Sequence, residues 1–134
     1  MKIFIICSKV FYDKIPPIKS ALEKVGHIIS LPNCYDCPET ESKYRGTDEH
    51  AKWKAGMIKH SEEVISGVDA VLVLNYAKNG IQNYIGGATF LEMYDAFRLG
   101  KTIYMINDIP DGLLKDEIIS FNPIILNEDL NKLV

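Results

Sequence analysis

Five short runs of apolar, mostly β-branched residues are spaced along the chain, and polar residues or glycine follow each of them. Runs of this length without polar alternation are typical of strands that are buried on both faces of a parallel sheet. The segments between most of them are long enough for the crossover helices that parallel strands require. The predicted strands are Lys2–Cys7, His27–Leu31, Ala70–Leu74, Thr102–Met105 and Pro123–Leu126.

Apolar residues at helical spacing fill much of the sequence between these runs. The first helix begins at Pro16-Pro17, because missing N–H groups are tolerated in a first turn, and it ends before Gly26. A second helix takes Thr47 or Asp48 as its N-cap. Two further helices are predicted, one from about Thr89 and one over Leu113–Ile119.

Alternating strands and helices indicate the α/β class. Right-handed crossovers place helices on both faces of the sheet, so we expect a single-domain, flavodoxin- or Rossmann-like three-layer sandwich over residues 1–134. Its five-stranded parallel sheet is expected in the order 2-1-3-4-5. The charged, turn-rich segment Pro32–Thr47 predicts either a lid over a ligand or a stretch that is disordered without one. The tail Leu130–Val134 is expected to fray.

Polar residues follow the first and third predicted strands, at the edge of the sheet where such folds bind ligands. Cys7 and Ser8 follow the first strand, and Asn75 and Tyr76 follow the third. Tyr12 lies in the loop after the first strand, and a tyrosine there can stack on a base while its hydroxyl binds a sugar or phosphate. We therefore expect these residues to bind substrate.

Gly86-Gly87 precedes the central helix, and either a turn with positive φ or the close approach of a ligand explains the pair. Backbone amides there and at Ser8 suit an anionic group, with Lys9 nearby. The sequence has neither the G-x-G-x-x-G pattern nor the P-loop lysine pattern, so a dinucleotide site has no support. We expect Gly86 and Gly87 to contact substrate.

Thr89 and Glu92 stand three residues apart at the start of the central helix, and two interpretations of the pair remain open. In a capping box, Thr89 binds the N–H three residues on and Glu92 binds the N–H of Thr89. Alternatively, Glu92 is a carboxylate at the mouth of a ligand crevice, where it can attack an anomeric carbon and form a glycosyl ester.

Composition excludes several classes of function. An apolar content of 47% with 25% charged residues is ordinary for a globular protein. A net charge of −3 without any basic stretch disfavours a nucleic-acid polymer as partner. No apolar run is long enough for a membrane span, and no signal-peptide cleavage pattern is present. We expect a cytoplasmic protein with no membrane partner.

Metal and cofactor chemistry has little support in the sequence. Cys34 and Cys37 form a single C-x-x-C pair, whereas a structural zinc would need two more ligands. His50 and His60 lie ten residues apart, not at the i, i+4 spacing of metal pairs, and are expected at the surface. Trp53, on the same predicted helix, is expected in the core. We therefore predict no metal and no cofactor.

The segment Asp69–Ile106, above all Gly87–Met93, resembles the nucleoside 2-deoxyribosyltransferase family and its relatives that hydrolyse nucleoside monophosphates. In outline the resemblance extends over most of the chain. It implies that Glu92 is the nucleophile. Two acidic positions of the family differ here: Asn75 follows the third strand, and Gly86 stands six residues before the nucleophile. The loss of two carboxylates suits a ligand that carries a phosphate.

This resemblance implies N-glycosidic bond cleavage or deoxyribosyl transfer on a nucleoside or nucleoside 5′-monophosphate, with Glu92 as the catalytic residue. It also implies a homodimer or higher homo-oligomer, since related proteins pair through helices beside the crevice. Two other hypotheses remain open. The first is a nucleotide-binding sensor of the same fold without catalysis, and the second is a partner-binding domain with a vestigial pocket.

Overall fold

The computed structural model describes residues 1–133 and contains the predicted parallel sheet. Its strand order is β2-β1-β3-β4-β5, with parallel pairing throughout, as expected. All five predicted strands are present, and four are shorter at their ends than predicted. They are β1 (Lys2–Ile6), β2 (Ile28–Ser30), β3 (Ala70–Val73), β4 (Thr102–Met105) and β5 (Ile124–Ile125).

Helices connect the strands and cover both faces of the sheet. Pro16 and Pro17 lie in the first turn of α1, and Gly26 follows that helix with a φ of 96°, a conformation that favours glycine. Both features agree with the prediction. The α-helices are α1 (Ile15–Lys24), α2 (Thr40–Tyr44), α3 (His50–Ser66), α4 (Gly87–Arg98) and α5 (Lys115–Ser120), and 3-10 helices span Lys9–Lys14 and Leu130–Lys132.

Alternate residues of the central strands point to opposite faces, and each face has its own apolar core. Ile3 and Ile5 of β1 are fully buried in the layer beneath α1. Phe4 and Ile6 are fully buried in the opposite layer, where α3, α4 and α5 contribute Ile65, Met93 and Ile118. Burial on both faces explains why the strands are continuous apolar runs. The result is the three-layer α/β sandwich.

Several local expectations were wrong. Neither Thr47 nor Asp48 caps α3, which begins after Glu49. The hydroxyl of Thr47 instead donates to the carbonyl of Tyr44 (2.5 Å). The segment predicted as an irregular loop contains α2. In the tail that was expected to fray, Leu130–Lys132 form a 3-10 helix, and Leu133 is only 5% exposed in the core beneath α1. Val134 lies outside the described residues. No helix within residues 1–133 is long and apolar enough to cross a membrane.

Candidate active site

A cavity of about 410 Å³ opens at the carboxyl edge of the sheet, between the end of β1, the start of α4 and the first half of α3. The segment between β2 and α3 forms its remaining wall. This volume is within the range of small-molecule sites. Most of the predicted site residues line the cavity, namely Cys7, Ser8, Tyr12, Gly86, Gly87, Thr89 and Glu92.

Glu92 lies in the second turn of α4 and is held by a side chain from α3. Its Oε2 accepts a 2.8 Å hydrogen bond from the hydroxyl of Ser61. The capping-box interpretation is therefore wrong: the helix begins at Gly87 after Gly86 as N-cap, which places Thr89 inside the first turn. Thr89 is buried, and no side chain caps the helix. The carboxylate of Glu92 is consequently available to the cavity.

The surroundings of Glu92 disfavour its charged form. Burial raises the pKa of Glu92 to about 7, with a smaller contribution from Asp95, while the hydrogen bond from Ser61 acts in the opposite direction. A substantial fraction of the carboxyl group is therefore ionised at neutral pH although it is desolvated. Such a value is typical of functional carboxylates.

Two predicted residues beside Glu92 are neutral donors. Burial raises the pKa of the Cys7 thiol to about 12, and the nearby charge of Glu92 adds to this effect. Burial is also the main cause that raises the pKa of Tyr12, whose hydroxyl donates to the carbonyl of Asn33 (3.2 Å). Both groups remain protonated at neutral pH.

The structure does not bring Asn75 and Tyr76 to the cavity. Asn75 is fully buried, and its amide nitrogen donates to the carbonyls of Asn107 (3.1 Å) and Asp108 (2.9 Å). Its Oδ1 accepts from the backbone N–H of Asn107 (3.0 Å), so the side chain joins the loops after β3 and β4. Tyr76 packs edge-on against Phe11. Asn75 thus forms hydrogen bonds within the protein and Tyr76 packs against another ring. Neither side chain lines the cavity, where a ligand contact was predicted.

The two glycines at the start of α4, Gly86 as N-cap and Gly87 as first helical residue, keep the cavity open at this point. Neither has a positive φ, so the turn interpretation is wrong for both. A Cβ on Gly86 would lie 3.3 Å from the hydroxyl of Tyr84, and a Cβ on Gly87 would meet nothing within 4 Å. Within residues 1–133 the Tyr84 hydroxyl, which lies on the cavity wall, has no hydrogen-bond partner. It occupies the space beside Gly86 that a longer side chain would need.

The first half of α3 forms an aromatic and apolar wall. Trp53 and Met57 are half-buried and line the cavity, so the expectation of a core position for Trp53 was wrong. The rings of His50 and Trp53 are stacked with centroids 6.3 Å apart, and His50 lines the cavity as well. Of the two histidines predicted at the surface, only His60 is exposed.

The mouth of the cavity is basic in a chain of net charge −3. Glu41 of α2 accepts a 2.7 Å hydrogen bond from Lys54 and lies 3.3 Å from both His50 and Arg45. The hydrogen bond from Lys54 is the main cause that lowers the pKa of Glu41. The lining contains two acidic side chains, Glu41 and Glu92, and four lysine or arginine side chains, Lys9, Arg45, Lys54 and Lys78.

Sequence reasoning missed Asn33 and Ser61. The Asn33 amide donates to the hydroxyl of Ser61 (2.7 Å), which in turn donates to Glu92. The helical pattern directs position 61 toward the interior. A polar residue at an inward position was the one feature of the sequence that could have pointed to Ser61. Asn33 had no signal, since it reaches Ser61 across 28 residues of sequence.

The cysteines and histidines form no metal site in the described part of the chain. Cys7, Cys34 and Cys37 are free thiols. Cys34 and Cys37 flank a turn in which the N–H of Cys37 donates to the carbonyl of Cys34 (3.1 Å). Residues 1–133 contain no group of three histidine, cysteine or acidic side chains arranged to hold a metal ion.

No protein-family model matches the chain, and no curated protein matches it. A solved structure does: a 2-deoxyribosyltransferase from the psychrotolerant bacterium Bacillus psychrosaccharolyticus, with a TM-score of 0.56 and 20% sequence identity. The match covers 79% of this chain and 72% of that chain. The protein is therefore an α/β protein with a cavity at the carboxyl edge of its sheet. Its fold is that of the 2-deoxyribosyltransferase.

Proposed function

We propose that the protein is an enzyme that breaks the N-glycosidic bond of a nucleoside 5′-monophosphate or nucleoside, with Glu92 as the nucleophile. The observation that carries this proposal is the carboxylate of Glu92 in the cavity, with one oxygen held by Ser61 (2.8 Å). The shared fold with a 2-deoxyribosyltransferase supports the same class of substrate.

The reaction proceeds in two displacements. An oxygen of Glu92 forms a bond to C1′ of the sugar while the bond from C1′ to the base nitrogen breaks, and the departing base keeps the electron pair and takes up a proton from water. Water or a second base then attacks C1′ and releases the carboxylate. Whether water or a base attacks, the acceptor loses one proton, which passes to the solvent. The products are free base with either the sugar or a new nucleoside.

The surroundings of Glu92 favour the first displacement. The transition state develops positive charge on the sugar, and an adjacent carboxylate stabilises that charge. Attack converts a desolvated, charged carboxylate into a neutral ester, which removes the charge that burial penalises. Ser61 binds Oε2 and leaves Oε1 for the sugar. The neutral Cys7 thiol adds no competing charge.

The cavity walls supply contacts for the base and the sugar. Trp53 and Met57 form an apolar part of the wall that a base can contact. The free hydroxyl of Tyr84 lies beside Gly86, at a position where it can bind a sugar hydroxyl. The neutral hydroxyl of Tyr12 is a further polar group on the lining.

The basic mouth favours a substrate with a phosphate over an uncharged nucleoside. Lys9 and Lys54 line it, and Gly87, Ala88 and Thr89 at the start of α4 line the same cavity. Amides at a helix N-terminus attract anions, and lysine binds phosphate as a point charge. In the structure Glu41 accepts the hydrogen bond of Lys54, and a phosphate would compete with it for that lysine.

Product analysis tests this proposal. Purified protein is incubated with nucleosides and their 5′-monophosphates, with and without an acceptor base, beside Glu92→Gln. We expect free base from the wild type, faster from monophosphates, and none from the variant. A new nucleoside formed only with acceptor identifies a transferase. Nucleotide binding without any product would overturn the enzyme proposal and leave a binding protein.

A further inference from the structure

We propose that Asn33 is a positioning residue that turns the hydroxyl of Ser61 toward Glu92. The inference rests on the proposed role of Glu92 as nucleophile, and it assigns to the segment between β2 and α2 a task beyond lining the cavity. It follows from the hydrogen-bonding capacity of three side chains.

The side-chain amide of Asn33 has a fixed orientation. Its Nδ2 lies 3.1 Å from the carbonyl oxygen of Met57 and 2.7 Å from the hydroxyl oxygen of Ser61. A carbonyl oxygen only accepts hydrogen bonds, so the amide nitrogen, and not the amide oxygen, must face Met57. The same nitrogen then donates its second proton to Ser61.

This donation determines where the proton of Ser61 goes. A serine hydroxyl carries one proton, and an oxygen that accepts from Asn33 must direct its own proton to another acceptor. Oε2 of Glu92 is that acceptor, at 2.8 Å. The order of donation is therefore from Asn33 to Ser61 to Glu92.

Without Asn33, the hydroxyl of Ser61 has a competing acceptor. A serine inside a helix commonly donates back to the carbonyl four residues earlier, which for Ser61 is Met57. Asn33 donates to that carbonyl and to Ser61 at once, so it disfavours the local bond and favours the bond to Glu92.

Asn33 is itself held by the cavity wall, since its carbonyl accepts from the hydroxyl of Tyr12 (3.2 Å). The side chains that shift the pKa of Glu92 are Ser61 on α3 and Asp95 on its own helix, and the neighbouring Cys7 and Tyr12 are neutral. Of the hydrogen bonds among them, only the one from Ser61 lowers the pKa of Glu92. Asn33 thus promotes the ionised form of Glu92 through Ser61.

The test is the titration of the Glu92 carboxyl carbon by 13C NMR in the full chain, which needs no turnover. We expect Ser61→Ala and Asn33→Ala each to raise the pKa of Glu92 by about one pH unit, the equivalent of one hydrogen bond. Ser61→Thr keeps the hydroxyl and is expected to titrate as wild type. Ser66→Ala, on the same helix, is the matched control because the hydroxyl of Ser66 donates to the backbone carbonyl of Glu63 and not to Glu92.

The double variant Asn33→Ala/Ser61→Ala separates positioning from a general structural effect. If Asn33 acts through Ser61, the double variant titrates like Ser61→Ala alone. An Asn33→Ala variant whose Glu92 titrates as in wild type, or additive effects in the double variant, would overturn the inference. Failure of the proposed function is distinguishable from either result. In that case the wild type releases no products, while the variants still change the pKa of Glu92 as described above.

Discussion

The hydroxyl of Ser61 on α3 donates a 2.8 Å hydrogen bond to Oε2 of Glu92 on α4, and it links two helices that pack on the same face of the sheet. Ser61 is only 3% exposed. In the earlier turns of α3, Trp53 and Met57 line the cavity. One helix thus anchors in the core through Ile65, holds the carboxylate through Ser61 and forms the cavity wall.

The rate of base release is expected to depend on pH through Glu92. Because burial raises the pKa of this carboxyl group to about 7, and because only its ionised form attacks the sugar, kcat/KM should rise as pH increases from 5.5 and level off above about 7.5. Steady-state kinetics across this range measures the effect. A profile that is flat, or that falls, would show that the ionised carboxylate is not the reacting form.

The stability of the fold should also depend on pH through Glu92, but it should decrease over the range in which the rate of base release increases. A carboxyl group whose pKa is higher in the folded than in the unfolded chain binds more protons when folded, so the free energy of unfolding falls as pH rises from about 4.5 to 7. Glu92→Gln removes the desolvated charge and keeps an oxygen for Ser61. We expect the variant to be more stable than wild type by about 2–3 kcal/mol at pH 8 and equally stable at pH 4.

Urea denaturation at the two pH values measures both differences. Glu117→Gln is the control, because this exposed glutamate lies on α5, away from the cavity. Equal stability of wild type and Glu92→Gln at pH 8 would contradict the assigned environment of the carboxylate.

Lys54→Gln should weaken the binding of monophosphates selectively. Loss of one charge-assisted hydrogen bond corresponds to a rise of roughly tenfold in KM for a nucleoside 5′-monophosphate, with little change for the nucleoside. Lys52→Gln, on the same helix but outside the cavity lining, should leave both values unchanged. A parallel rise for nucleoside and monophosphate would place Lys54 outside the phosphate site.

Asn75→Asp should destabilise the fold without increasing the rate of base release. The carboxylate cannot donate to the carbonyls of Asn107 and Asp108, and it would place a negative charge against both oxygens. We expect a loss of about 3 kcal/mol in the free energy of unfolding, measured by chemical denaturation. Wild-type stability together with faster base release would contradict the packing role given to Asn75.

The sequence predicts the sheet well because strands such as β1 are buried on both faces and leave an uninterrupted apolar run. It predicts the position of the cavity for the same reason. Cys7 and Ser8 follow β1, and the end of its apolar run shows where this strand stops. It fails where local patterns have two solutions: Thr89 and Glu92 have capping-box spacing, yet α4 begins earlier, at Gly87.

Long-range contacts account for the other failures. The apolar spacing of α3 includes both Trp53 and Ile65, but Ile65 is buried in the core and Trp53 lines the cavity. Contacts with other elements decide this difference, and the spacing alone does not reveal it. The hydrogen bond between Ser61 and Glu92 joins residues 31 apart, and nothing in the local sequence encodes it.

The most direct test of the account is to trap the glycosyl ester. Wild-type protein turning over a nucleoside 5′-monophosphate labelled in the sugar is quenched in acid and digested, and its peptides are analysed by mass spectrometry. If Glu92 is the nucleophile, the peptide that contains it carries a sugar adduct, and the corresponding peptide of Glu92→Gln does not. Base release that continues at the wild-type rate in Glu92→Gln, without any adduct on this peptide, would contradict it.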